Sequence, residues 1–309
     1  MPDFCPRFEL RHQADIDLWI ESSSRQDALV RLAECGFAPR SIGAGDQILL
    51  AGSGEERVAL NESIYRAGRC RRLELHISLL EEAIPTNMQY PGGQWERARR
   101  RVSGDVSFLA LAPADMFIFQ AHHAFRHLLS YWARPSWLYE IARFLDTNHT
   151  CSSLWSEVCD SIGENAMLRD GVGMIVDLVA QLFWPRISPV LSEYCLENLP
   201  SEIHLWNRCF GERVVLSGPM GSKVALLIQK QFIKEPAVWS QHFWRRLFPV
   251  QSDLCLTEIC GKTVVPSFVD RWNQLGFTLR KARFHGMFLL AYPFHALRWR
   301  LLKGSIAGG

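Results

Sequence analysis

ADIDLWI, residues 14–20, decides how the first part of this chain is read. Ile16, Leu18 and Ile20 alternate with Asp15, Asp17 and Trp19, the period of two that a strand with one buried face requires. Side chains two apart on a strand point the same way, with alpha carbons about 6.5 to 7 Å apart, so the two carboxylates converge on one small polar site. That spacing admits two readings. The aspartates form either the solvent face of an amphipathic strand or one side of a cation site, in which a divalent metal offsets their repulsion.

Outward from this strand, SRQDALVRLAECGF places Ala28, Leu29, Leu32 and Ala33 at helical spacing, with Ser24 as a cap and Gly36 where a helix ends. QILLAG (residues 47–52) is a second short strand. CRRLELHISLL, from Cys70, is a third: Leu73, Leu75, Ile77 and Leu79 alternate with Glu74, His76 and Ser78. If this strand and the acidic one pair with their apolar faces together, Glu74 falls on the side of Asp15 and Asp17. It then supplies the third acid that a two-metal phosphoryl-transfer site draws from a neighbouring strand. His76 lies on the same polar face, either orienting an acid or touching phosphate, or standing as a surface residue.

After Pro85 the character changes. PTNMQYPGG is rich in turn residues and QWERARRRV is basic. PADMFIFQAHHAFRHLLSYW and PSWLYEIARFLDTNH each open with proline at a first-turn position, as helices do. Leu154 to Ile162 and Gly171 to Phe183 continue the helical pattern. RVVLSG from Arg213 fits a strand, while VALLIQKQF and AVWSQHFWRRLF fit buried helices. The expected fold class is α+β: a small mixed sheet in residues 1–84, a linker over 85–112, a helical domain over 113–200, and a mainly helical region with a basic, aromatic tail over 201–309.

Composition narrows the functional classes. The chain has 309 residues, 48% of them hydrophobic and 21% charged, with a formal net charge of +2, so no overall charge bias points to nucleic acid. Nine scattered cysteines without a CxxC pair, and no secretory leader, suit a reducing cytoplasm. The richest apolar run, MFLLAYPFHALRW, is interrupted by Pro293, His295 and Arg298 and does not read as a membrane span.

A longer ordered set of motifs carries a family resemblance. RxxxDIDLWI (Arg11 to Ile20), a helix ending ECGF, LELHISL (Leu73 to Leu79), WERAR (Trp95 to Arg99), LAPAD (Leu111 to Asp115), HAFRH (His123 to His127) and WLYEIA (Trp137 to Ala142) follow one another in that order. Over about residues 5–150 the chain resembles the uncharacterised bacterial nucleotidyltransferase family of the polymerase-beta-like superfamily. The resemblance implies Asp15, Asp17 and Glu74 as catalytic, metal-binding acids. It implies Mg2+ (or Mn2+) as cofactor, and a nucleoside triphosphate whose monophosphate passes to a hydroxyl of a small molecule, glycan or protein. Nucleic acid is not an expected partner. Arg11, His76, His123, His127 and Glu140 are the expected nucleotide- or acceptor-binding residues; the alternatives are an exposed loop position for Arg11 and a core or helix-to-helix hydrogen-bonding role for the helical residues. One feature departs from the pattern: the glycine-containing turn that holds triphosphate ahead of the acidic strand has no counterpart in residues 1–14, which contain no glycine. The alternative to an enzyme is therefore a catalytically silent nucleotide-binding or interaction protein.

Two further motifs are weaker. HxxxH at His123 and His127 lacks the glutamate of a zinc protease, since Ala124 follows the first histidine. LSGPMGSKV from Leu216 has the wrong glycine spacing for a P-loop, with Val224 after the lysine, and reads as a turn before a buried helix. Finally, residues 278–303 contain Arg280, Lys281, Arg283, Arg298, Arg300 and Lys303 without an acid. Such a segment suits an anionic membrane surface, nucleic acid, or a terminal helix packed on the bundle.

Overall fold

Asp15–Trp19 forms strand β1, and the helix expected after it is α1 (Arg25–Glu34), entered through a short 3-10 turn at Ser22–Ser24. The computed structural model describes residues 4–5, 15–42, 48–52, 72–76, 86, 88, 90–130, 133–217, 223–248, 258–259, 262–263 and 268–307. Helix α1 ends where Gly36 takes φ +83°, a left-handed value that glycine adopts without a Cβ penalty. The chain then turns directly into β2 (Phe37–Ile42), followed by β3 (Ile48–Gly52) and β4 (Arg72–His76).

These four strands form one mixed sheet in the order β1-β4-β3-β2, with β1 and β4 parallel and the other pairs antiparallel. Strand β2 was not legible in the sequence because Pro39 argues against a strand interior. The structure puts it at the sheet edge, with a register shift between Pro39 and Ser41, where a missing N–H leaves no gap in a central ladder. One face of the sheet is apolar: Ile48, Leu50, Leu73 and Leu75 are buried, and Leu29 and Leu32 of α1 and Phe37 pack on them. Among the described residues that cover thins at the β1 edge, where Ile16 and Leu18 are 39% and 37% exposed, against 7% and 1% for Leu73 and Leu75. Residues 7–83 and 249–281 make up this unit.

The other unit comprises residues 1–6, 84–248 and 282–309. It opens with α2 (Gln94–Arg97) and the hairpin β5 (Arg99–Ser103) and β6 (Val106–Ala110). The two-residue Gly104-Asp105 loop, with Gly104 at φ +57°, is the hairpin's sequence signature, and it was masked by the arginine run before it. Helices α3 (Pro113–Leu129), α4 (Pro135–Asn148), α5 (Ser152–Ile162) and α6 (Ala166–Phe183) follow, two of them with proline in the first turn as expected. Their core is aromatic: Phe117 lies edge-on to Trp155 with centroids 5.1 Å apart, and Phe4 stacks on Phe144 at 4.4 Å.

The chain continues through α7 (Pro189–Leu191), a π turn at Ser192–Leu196 and α8 (Ser201–Trp206), which widens into π turns at Asn207–Gly211 and Arg213–Ser217. The expected strand at Arg213 is therefore corrected to helix. Val214 and Val215 are adjacent and both buried, which neighbouring positions of a helix allow and the two faces of a half-buried strand do not. Helix α9 (Leu226–Phe232) and α10 (Pro236–Leu247) follow as expected, and α11 (Phe268–Ala307) closes the chain with Pro293 inside it. Gly218 and Gly221 lie outside the described residues.

Candidate active site

The parallel pairing of β1 with β4 sets Asp17 opposite Glu74 and Trp19 opposite His76, and the Ile20 amide donates to the His76 carbonyl at 3.0 Å, fixing that register. Leu73 and Leu75 occupy the apolar face, so Glu74 and His76 stand on the other, together with Asp17. His76 Nε2 lies 3.0 Å from Asp17 Oδ1 and 3.8 Å from Glu74 Oε2. With both neighbours carboxylates, the imidazole is placed to donate to Asp17, which holds that carboxylate in one rotamer. The imidazole is mostly covered, its side chain only 13% exposed, while Asp17 keeps 43%.

One ligand atom from each of Asp17, Glu74 and His76 lies within 4.8 Å of the other two. Oxygens around an octahedral Mg2+ at about 2.1 Å stand about 3 to 4 Å apart, so this donor set is of a size to share one hard cation. Its carboxylates suit Mg2+ or Mn2+, and its imidazole suits either ligation or support of the carboxylate from behind. Asp15 is two residues before Asp17 on β1, its backbone in register with Arg72. Arg11 lies outside the described residues.

The remaining expected residues lie in the helical unit. His123 and His127, one turn apart on α3, have ring centroids 4.4 Å apart, and Trp137 at the start of α4 lies 4.8 and 4.6 Å from them. The Arg134 guanidinium sits 5.1 Å over the Trp137 ring. Glu140, one turn along α4, is buried, as is His122 between Tyr90 and Phe125.

Sequence reasoning did not single out a buried, bidentate ion pair of this unit. Arg97 Nε and Nη2 donate to Asp115 Oδ2 and Oδ1 at 2.9 and 2.7 Å, a bidentate fork, and Nη2 also reaches the Gly92 carbonyl at 2.9 Å. Asp115 is fully buried, in the first turn of α3, where the helix dipole favours an anion. The Tyr90 hydroxyl donates to the Asp115 main-chain oxygen at 2.8 Å. Burial, and then the neighbouring Asp115 charge, push the Tyr90 phenol well above its ordinary range, so it stays a donor. The signal was present: Arg97 is the centre of WERAR and Asp115 the last residue of LAPAD, whose order contributed to the resemblance.

A mixed sheet carrying acids on one face, joined in sequence to a helical unit, is a scaffold on which phosphoryl chemistry can be built. The model of a family described as "Uncharacterised nucleotidyltransferase" matches residues 3–184, more than half of the chain, and the chain belongs to that family. The matched span takes in Asp17, Glu74 and His76 as well as Arg97 and Asp115. No curated protein and no solved structure matches the chain. Among the described residues no helix is long and apolar enough to cross a membrane.

Proposed function

We propose that the protein transfers a nucleoside monophosphate from a nucleoside triphosphate to a hydroxyl acceptor, breaking the alpha–beta phosphoanhydride and releasing pyrophosphate, in a metal-dependent reaction of the polymerase-beta-like kind. The observation that carries this reading is the register that sets Asp17 against Glu74 on adjacent parallel strands, with His76 beside both. Asp17 and Glu74, with Asp15, would hold Mg2+ or Mn2+. When bound, the cation supplies positive charge against the triphosphate oxygens, where charge develops during in-line transfer. His76 donates to Asp17 Oδ1, which fixes the carboxylate and leaves Oδ2 free to turn toward the cation. Asp17 or Glu74 takes the acceptor proton. Arg11 meets phosphate with its planar guanidinium, and His123, His127 and Glu140 contact nucleotide or acceptor. The acceptor is a hydroxyl of a small molecule, glycan or protein.

The test is incubation of the protein with each alpha-labelled nucleoside triphosphate, Mg2+ or Mn2+ and cell extract. Label passes to a product with at least one triphosphate, and Asp17→Asn or Glu74→Gln lowers the rate about a thousandfold, the scale expected when charge stabilisation at the reacting phosphate is removed. Metal-dependent nucleotide binding with no transfer from any triphosphate would replace this reading with that of a catalytically silent relative.

A further inference from the structure

Helix α11 is apolar on both sides from residue 282 onward, within the helical unit. On its inner side Trp299 is buried, 6.1 Å from the Phe210 ring, and Tyr292 lies 5.9 Å from Phe243 of α10, so that side closes the core. A helix with one face on a core ordinarily turns charged and polar residues outward. Here the outward line is Met287, Leu290, Phe294, Leu297 and Leu301, spaced alternately three and four apart, and each is between 58% and 76% exposed. Exposed apolar residues scattered singly need no explanation, but a continuous stripe does.

The charges beside the stripe favour an anionic partner. Arg283 leads into the stripe and Arg298 and Arg300 border its C-terminal half, all three exposed, with the Arg298 guanidinium 5.7 Å over the Phe210 ring. Lys303 is bound to Glu202 of α8 at 2.6 Å. No Asp or Glu occurs from residue 271 to residue 309. Pairing with a second copy along this line would bring arginines against arginines, which disfavours a helix dimer. An anionic bilayer satisfies both features: acyl chains receive the stripe and headgroups meet the arginines.

We infer that the outer face of α11, Met287 to Leu301, is a monotopic docking surface for an anionic membrane, holding the protein on the bilayer without crossing it. The inference is separate from the nucleotidyl-transfer reading and stands or falls without it. Its test is flotation of the full-length protein with phosphatidylcholine vesicles, with and without about one third phosphatidylglycerol. The protein floats with the anionic vesicles about tenfold or more better than with the neutral ones, and raising salt to about 0.5 M weakens the association. Phe294→Ser with Leu297→Ser lowers the partition coefficient about tenfold, while circular dichroism and melting stay as in the wild type because both side chains are exposed. Arg300→Gln lowers it about fivefold. No flotation at any composition, or flotation unaffected by these changes, overturns the inference. So does a micromolar dimer in light scattering that Phe294→Ser dissociates, because the stripe is then an interface between copies. Displacement of the vesicles by an oligonucleotide overturns it as well.

Discussion

Removing the Arg97 side chain strands a buried anion. In Arg97→Ala, Asp115, 0% exposed beneath Arg97 in the first turn of α3, loses both charge-assisted hydrogen bonds, at 2.7 and 2.9 Å. Breaking a buried pair from one side costs about 3 to 5 kcal/mol. The Arg97 side chain is itself one-third exposed, so water enters where the guanidinium was, and the helix dipole still favours the anion; the expected loss is therefore at the lower end, about 3 kcal/mol. In a unit of this size each kcal/mol moves Tm by about 2 to 4 °C, giving a drop of about 6 to 12 °C by calorimetry at neutral pH. Asp115→Asn, which keeps the shape and removes the charge, loses less. The double change Arg97→Met with Asp115→Leu is more stable than Arg97→Ala alone, because no charge is left behind. A loss below about 1 kcal/mol in Arg97→Ala, or a double variant whose loss equals the sum of those of Arg97→Met and Asp115→Leu, would refute this account.

Other expectations follow from different parts of the molecule. His242 is buried, with Nε2 donating to Gln229 Oε1 at 2.9 Å, and burial, followed by Arg246 and Arg245, lowers its pKa to about 4. The unfolded chain therefore binds the proton first, and stability falls by up to about 3 kcal/mol as the pH drops from about 6.5 to 4; His242→Gln flattens that slope in urea titrations across the range. At Gly173, in α6, an added Cβ would lie 2.8 Å from the Cys195 carbonyl oxygen, so Gly173→Ala costs about 1 to 3 kcal/mol and lowers the denaturant midpoint. At the acidic site, His76→Ala weakens Mn2+ binding about 10- to 100-fold by calorimetric titration, whereas Glu74→Gln abolishes it; equal effects would show that the imidazole does not act through Asp17.

Much of this molecule is written in short-range pattern. The alternation in ADIDLWI and LELHI follows from the two-residue strand period, and it was enough to place Glu74 on a polar face before any pairing was known. The prolines at Pro113 and Pro135 mark helix starts for a reason local to the first turn, where a missing N–H costs no hydrogen bond. Residues whose role depends on partners distant in sequence were harder to read. Strand β2 contains Pro39 and forms because a sheet edge was available, and Val214-Val215 turned helical because two adjacent side chains had one core to enter.

The sequence by itself determined which segments carry apolar faces and which acids share a strand, because those depend on periods of two and 3.6 residues. Only the tertiary structure decided which faces meet. It brought Asp17 to Glu74 and His76 across 57 and 59 positions of chain, joined Arg97 to Asp115, and, among the described residues, left Met287, Leu290, Phe294, Leu297 and Leu301 of α11 exposed. The physical reason is that pairing and burial are settled by competition among all the apolar surface at once, a quantity no local window of sequence contains.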